Sequence, residues 1–247
     1  LNLSIEDNHV RALNLGLNYA SNKDLIHYID GDRLIHAMFF FPSDIIGMFE
    51  VATREMQKFP YLGHIRTKEA FETHTKPMIL TEMWITACYS MALQRIYDPC
   101  STAHTFVPKS IEYILENNDK KPVMAYPHAK WLLLMAEVYG TDKISSSKET
   151  EMILSYETWL QKLDEIDNEK ILDLQTVTYN QLIKLADTNV RRQIEVKEIS
   201  HRINLVKEWL EYLRGTIFGN GVEDAINRVL LKELQSVEER LNLEYRG

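Results

Sequence analysis

The 247 residues carry 45% hydrophobic and 26% charged side chains, a balance that supports a buried core and excludes a disordered or fibrous chain. Against 28 Lys and Arg stand 36 Asp and Glu, a formal net charge of -8, so no global field draws the chain to nucleic acid or to anionic membrane. Two cysteines, Cys88 and Cys100, without metal spacing, no apolar run of the roughly 18 residues a membrane span needs, and no leader-like start lead us to expect a cytoplasmic protein with reduced thiols.

In chain order, Val10, Leu13, Leu17 and Ala20 recur at helical spacing, and residues 24–29 form a short apolar run that ends in Asp30-Gly31-Asp32. A loop and then a second helix over 43–57, with Ser43 as its N-cap, follow from the pattern. Residues 61–65 read as another short strand and 78–95 as a helix, with Pro108 opening a further helix to Leu115. Helix alternating with short strand predicts an α/β sheet. From about residue 150 the apolar spacing, as in Ile203, Val206, Leu210 and Leu213, predicts an all-helical tail. We therefore expect a domain over 1–150 and a helical extension over 151–247. The tail's stripes cover the sheet, clasp an acceptor or form a homodimer, in that order of preference. Its Arg191, Arg192 and Lys197 are interleaved with Glu195 and Glu198 and read as a solvated helix face.

Asp30 and Asp32 bring two hard oxygen ligands to the carboxyl end of a strand, where open α/β sheets bind their ligands. Mg2+ or Mn2+ bridging a diphosphate takes only one or two protein carboxylates, so the pair suffices for such a cation. Asp-Gly is equally a turn dipeptide, and a non-catalytic helical interaction module is the competing class. His36 follows the diacid by about one helical turn. Glu82 is an isolated acid in an apolar helical stretch, placed either at the solvent face or at a pocket. His27 reads as a packed histidine, and Trp84, Trp131, Trp159, Trp209 and the Cys88 thiol read as core.

The helix carrying Ala12, Leu13, Asn14, Gly16, Leu17 and Ala20, followed by a strand closing in Asp-x-Asp, resembles the nucleotide-sugar-binding core of GT-A glycosyltransferases. Gly63, Arg66, Thr67 and His74, with Glu82, Asp98 and Trp131 downstream, are similar in order and spacing to a family-2-like group distantly related to mannosylglycerate synthases. The resemblance spans roughly residues 10 to 165. It implies a Rossmann-like partial sheet and a metal-dependent transfer of a sugar from a nucleotide-sugar donor to a small-molecule acceptor. Asp30 and Asp32 would contact Mg2+ or Mn2+ and the diphosphate. Arg33 and His36 would line the same mouth, and Arg66, Thr67, His74 and Asp98 the donor or acceptor pocket. Glu82 and Asp32 would be the catalytic carboxylates. The acidic residue that the family often carries before the tryptophan is replaced here by Tyr126, Pro127 and His128, so His128, or else His104, is the expected third metal ligand. GT-A domains open with a strand and helix that hold the base. Leu1 lies close to the helix before Asp30, so those first units are expected to lie outside this chain or to be absent.

Overall fold

A computed structural model describes residues 5–68, 71, 74–118, 127–152, 188–228, 236 and 239. The elements run α1 (Ile5–Tyr19), β1 (Ile26–Ile29), α2 (Gly31–Phe40), α3 (Pro42–Glu55), β2 (Tyr61–Arg66) and α4 (Lys76–Leu93). They continue as β3 (Ala103–Phe106), α5 (Pro108–Asn118), α6 (His128–Tyr139), β4 (Ser145–Met152), α7 (Thr188–Arg214), a 3-10 turn at Gly219–Gly221 and α8 (Glu223–Arg228). The fold is mixed α/β. The strands form one sheet in the order β1-β3-β2-β4. β3 is antiparallel to both β1 and β2, and β4 is parallel to β2. Strands β1 and β2 therefore point the same way, and their carboxyl ends, Ile29 and Arg66, open on the same edge of the sheet.

Alternation along the strands gives the sheet two chemically distinct faces. Tyr28, Tyr61, His104 and Phe106 share one face, where Tyr61 and Phe106 join Leu13 of α1, Ile111 and Ile114 of α5 and Trp131 of α6 in the main core. Burial of Leu13, Phe106, Ile111 and Ile114 contributes about 1.5–3 kcal/mol each. Leu62 lies on the other face with Val51, Ala52 and Met56 of α3, while Ala103 packs on Ala37 of α2 and on Ile45 and Met48 of α3. His27 and His64 both meet the Thr105 hydroxyl on that second face, at 2.9 Å each. Burial lowers the pKa of both, that of His64 to about 3 with His104 and His27 adding to the effect, so both are neutral at pH 7.

The segment after Asp30 is not a loop: α2 begins at Gly31, with Asp30 in extended conformation at the N-cap position. Ser43 is not the cap of α3, which starts at Pro42, because the fixed φ of proline suits the first helical position. The residues beyond 150 are not all helical, since β4 extends to Met152. The helical patterns expected across 153–187, and Trp159 with them, lie outside the described residues.

Helix α7 packs along α4, and its Val206, Trp209, Leu210 and Leu213 enter the same core as Tyr61 and Phe106. It also supplies polar contacts at the start of α4. The Thr75 hydroxyl, which accepts from the Met78 amide as the N-cap of α4, donates to Glu198, and the Lys76 amide donates to Glu195 at 3.0 Å. The expectation of a solvated face is thereby corrected for these two acids. Glu195 and Glu198 are buried because the Lys76 amide, the Thr75 hydroxyl and the positive end of the α4 dipole lie opposite them. Among the described residues, no helix is long and apolar enough to cross a membrane.

Candidate functional site

Two groups of polar side chains gather at the carboxyl ends of β1 and β2. The first centres on Asp30. Its carboxylate makes no capping bond to α2, although it sits at the N-cap position where Asp usually does so. It turns instead to the Tyr28 hydroxyl, which donates to Oδ1 at 3.2 Å, and to Arg33, whose Nε lies 3.9 Å from Oδ2. His9 of α1 is hydrogen-bonded through Nδ1 to the same Tyr28 hydroxyl. His128 opens α6 and completes the group: one ligand atom from each of His9, Asp30 and His128 lies within 4.8 Å of the other two.

His128 is 1% exposed, and neither of its ring nitrogens has a hydrogen-bond partner. Its surroundings are aromatic: His104 stacks on it at 5.2 Å, Tyr28 lies tilted at 5.4 Å, and His9 and Trp131 meet it edge-on at 4.9 and 5.1 Å. Burial first, and then His104, His9 and Arg33, push the His128 pKa well below the ordinary value. Burial likewise lowers the pKa of His104 to about 3, against the opposing charge of Asp98. Both imidazoles are therefore neutral at pH 7, the state in which a ring nitrogen offers a lone pair to a cation.

The second group is an ion-pair network. Arg66, at the end of β2, binds Asp98 through Nε to Oδ2 at 2.7 Å and through Nη2 to Oδ1 at 2.8 Å. Asp98 also accepts from the amides of Cys100 and Ser101, which closes the loop before β3 around it. The Arg66 Nη1 group is directed at His74 at 3.4 Å and lies 2.8 Å from Glu82 Oε2, a close ion pair without hydrogen-bond alignment. The other Glu82 oxygen faces Nη1 of Arg202, on α7, at 3.4 Å. Burial opposes the Arg66 charge, but Asp98 and then Glu82 outweigh it and raise its pKa well above normal. Burial also works against the Asp98 charge, and Arg66 outweighs it, so the Asp98 pKa falls.

The expected site residues thus divide between two neighbouring groups. Asp30, Arg33 and His128 come together beside β1, and Arg66, His74, Glu82 and Asp98 beside β2. Thr67 follows Arg66, buried, and its carbonyl accepts from Phe71 as the chain turns. With Ile65, Phe71 and Met83, the residues Arg66, Thr67 and Asp98 line a groove of about 580 Å3. Asp32 lies in the first turn of α2 and His36 one turn later, but their side chains are outside the described residues. His104, on the strand between β1 and β2, stands between the groups, since it stacks on His128 and responds to the charge of Asp98.

His9 was not expected at the site. A single histidine inside an amphipathic helix carries no local signal, and only the packing of α1 against β1 brings it to Asp30.

The fit of this site to a divalent cation rests on the unpartnered buried nitrogens of His128 and on a carboxylate left free of its cap. The donor set of two imidazoles and one carboxylate suits Mn2+ better than Mg2+, which prefers oxygen throughout.

No protein-family model, no curated protein and no solved structure matches this chain significantly.

Proposed function

We propose that the protein is a metal-dependent glycosyltransferase, moving a sugar from a nucleotide diphosphate sugar to a small acceptor. The observation that carries this reading is the Asp30 carboxylate, set at the carboxyl end of β1 without a capping bond to α2 and within 4.8 Å, ligand atom to ligand atom, of two imidazoles. Ligands of open α/β sheets bind at that edge. A bound divalent cation would supply charge neutralisation for the departing diphosphate.

In this reading His9, Asp30 and His128 hold the cation, with Asp32 and His36 on the following helix, and Tyr28 and Arg33 orient the Asp30 carboxylate. The groove beside Arg66, Thr67 and Asp98 receives the acceptor. Transfer breaks the bond between the anomeric carbon and the diphosphate oxygen and forms one to the acceptor oxygen, whose proton leaves to a base. Glu82 acts as a positioning residue, because both of its oxygens already face guanidinium groups. It fixes Arg66, which in turn fixes Asp98 at the groove.

Thermal unfolding with Mn2+ and a panel of uridine, guanosine and thymidine diphosphate sugars tests the proposal. A true donor at about a hundred times its dissociation constant adds about 2.7 kcal/mol of stability. The gain should vanish in Asp30→Asn. If no donor raises the unfolding temperature of the parent chain, the reading fails.

A further inference from the structure

We infer that His9, Asp30 and His128 form a cation site of a kind that selects Zn2+ or Co2+ over Mg2+, with His9 as a ligand from the N-terminal helix. The inference concerns the cation alone and stands whether or not the protein transfers sugar.

His128 is buried with both ring nitrogens unpartnered. A buried imidazole that leaves both nitrogens without a partner costs about 1–3 kcal/mol, and buried polar groups in folded proteins are nearly always satisfied. An arrangement that retains such a group implies something else that meets it. One ligand atom each of Asp30 and His9 lies within 4.8 Å of a ring nitrogen of His128. Two ligands at about 2.0–2.1 Å from one Zn2+ stand no more than about 4.2 Å apart, so closure around the ion asks for small side-chain rotations and no movement of the elements.

The Tyr28 hydroxyl donates its single proton to Asp30 Oδ1, so it accepts from His9, and His9 carries its proton on Nδ1. Nε2 is then the nitrogen with the lone pair. A ligating histidine whose other ring nitrogen is fixed by a hydrogen bond is the usual arrangement around structural and catalytic metals. Here the same hydroxyl orients both His9 and Asp30.

Mg2+ binds oxygen ligands in octahedral geometry and sheds water reluctantly, whereas imidazole pairs well with zinc, copper, iron and nickel. Two imidazoles and one carboxylate, with the aromatic faces of Trp131 and His104 behind them, describe the second class of ion. The Arg33 guanidinium opposes any cation, with its Nε 3.9 Å from Asp30 Oδ2. The same charge falls on Mg2+ and Zn2+, so it lowers affinity without restoring a preference for Mg2+.

The test uses the full chain after chelator treatment, titrated with Co2+ and followed by visible absorption. The expected result is one Co2+ per chain, with the intense bands of a four- or five-coordinate ion. Equimolar Zn2+ should abolish the bands, and a large excess of Mg2+ should leave them. His9→Asn, His128→Asn and Asp30→Asn should each weaken Co2+ binding by at least about tenfold, on the scale that even outer-shell changes reach. The exposed His201→Asn should leave it unchanged. Nitrogen NMR of the histidine rings in the parent chain needs no variant, and only the His9 and His128 signals should move strongly on addition of Zn2+. The spectrum of hydrated Co2+ alone, displacement by Mg2+, or an unmoved His9 signal would each overturn the inference. Tight Zn2+ binding without any response to nucleotide sugars would leave this inference standing and remove the proposed transferase activity.

Discussion

The Arg66 guanidinium holds both oxygens of Asp98 in a parallel pair of hydrogen bonds, 2.7 Å from Nε and 2.8 Å from Nη2, with the two side chains 1% and 6% exposed. That geometry needs the planar fork of arginine and cannot be copied by a lysine ammonium. Removing one partner of a buried pair leaves the other charge without compensation, so Arg66→Ala and Asp98→Ala should each lower stability by about 3–5 kcal/mol. Arg66→Lys should recover only part of the loss. Urea unfolding followed by circular dichroism gives the measurement, and a loss near zero for Arg66→Ala would show that the pair does not form.

The carboxylates of α7 at the start of α4 give a second prediction. Glu198→Ala takes away the acceptor of the Thr75 hydroxyl and one of the two acids facing Arg202, and a lost buried acceptor costs about 1–3 kcal/mol. Glu195→Ala removes the acceptor of the Lys76 amide and should cost about 0.5–2 kcal/mol, the range of a lost cap. The two sites adjoin the same helix end, so the double variant should lose less than the sum of the two losses. Unfolding curves of the three variants decide it.

A third prediction concerns pH. His64 is neutral in the fold, with a pKa of about 3 against the ordinary 6.5, while the unfolded chain takes up its proton near 6.5. The contribution of this burial is therefore complete above about pH 6.5 and is lost as the pH falls toward 3. Within that window each excess proton bound by the unfolded state lowers stability by about 1.4 kcal/mol per pH unit. His64→Gln, which keeps a group able to bond the Thr105 hydroxyl, should flatten the slope between pH 6 and 4 by roughly that amount. An unchanged slope would place the titration elsewhere.

A fourth prediction separates support of a helix from support of Glu82. Arg202→Met removes the second guanidinium beside Glu82 and keeps much of the side-chain volume. Stability should fall by about 1–3 kcal/mol as Glu82 and Glu198 lose a shared cation. Glu82→Gln combined with Arg202→Met should be less damaging than the two changes added together. A double-mutant cycle measures the coupling directly.

The sheet was partly legible in the sequence because two of its strands carry hydrophobic runs bounded by polar or proline residues. Residues 24–29 and 61–65 match β1 and β2 to within two residues. The other strands had no such mark. β3 is four residues long and buried throughout, so it has no alternation to read. β4 is Ser-Ser-Ser-Lys-Glu-Thr-Glu-Met, a composition without apolar period, and it pairs only because β2 lies beside it. At α2, the turn propensity of Asp-Gly competed with the helical pattern that follows it, and the helix prevailed because Leu34 and Ala37 find apolar partners on the sheet.

The candidate site divides in the same way. Asp30 stood out because a carboxylate closing an apolar strand is conspicuous, and His128 stood out through the resemblance. The partnership of His9 with them, and that of Arg202 with Glu82 across 120 residues, exist only in the folded chain. No local spacing encodes contacts of that range.

The hold of α7 on the start of α4 has a consequence for synthesis. As the chain leaves the ribosome, α4 emerges more than a hundred residues before Glu195, Glu198 and Arg202. Until they arrive, the Lys76 amide lacks its Glu195 acceptor and Thr75 its Glu198 acceptor, and Glu82 faces Arg66 without Arg202, while the apolar partners of Tyr61 and Phe106 remain incomplete. A nascent chain paused before residue 188 would expose that unfinished surface, which makes the interval a window for chaperone capture or misassembly. Release from that window depends on the synthesis of α7.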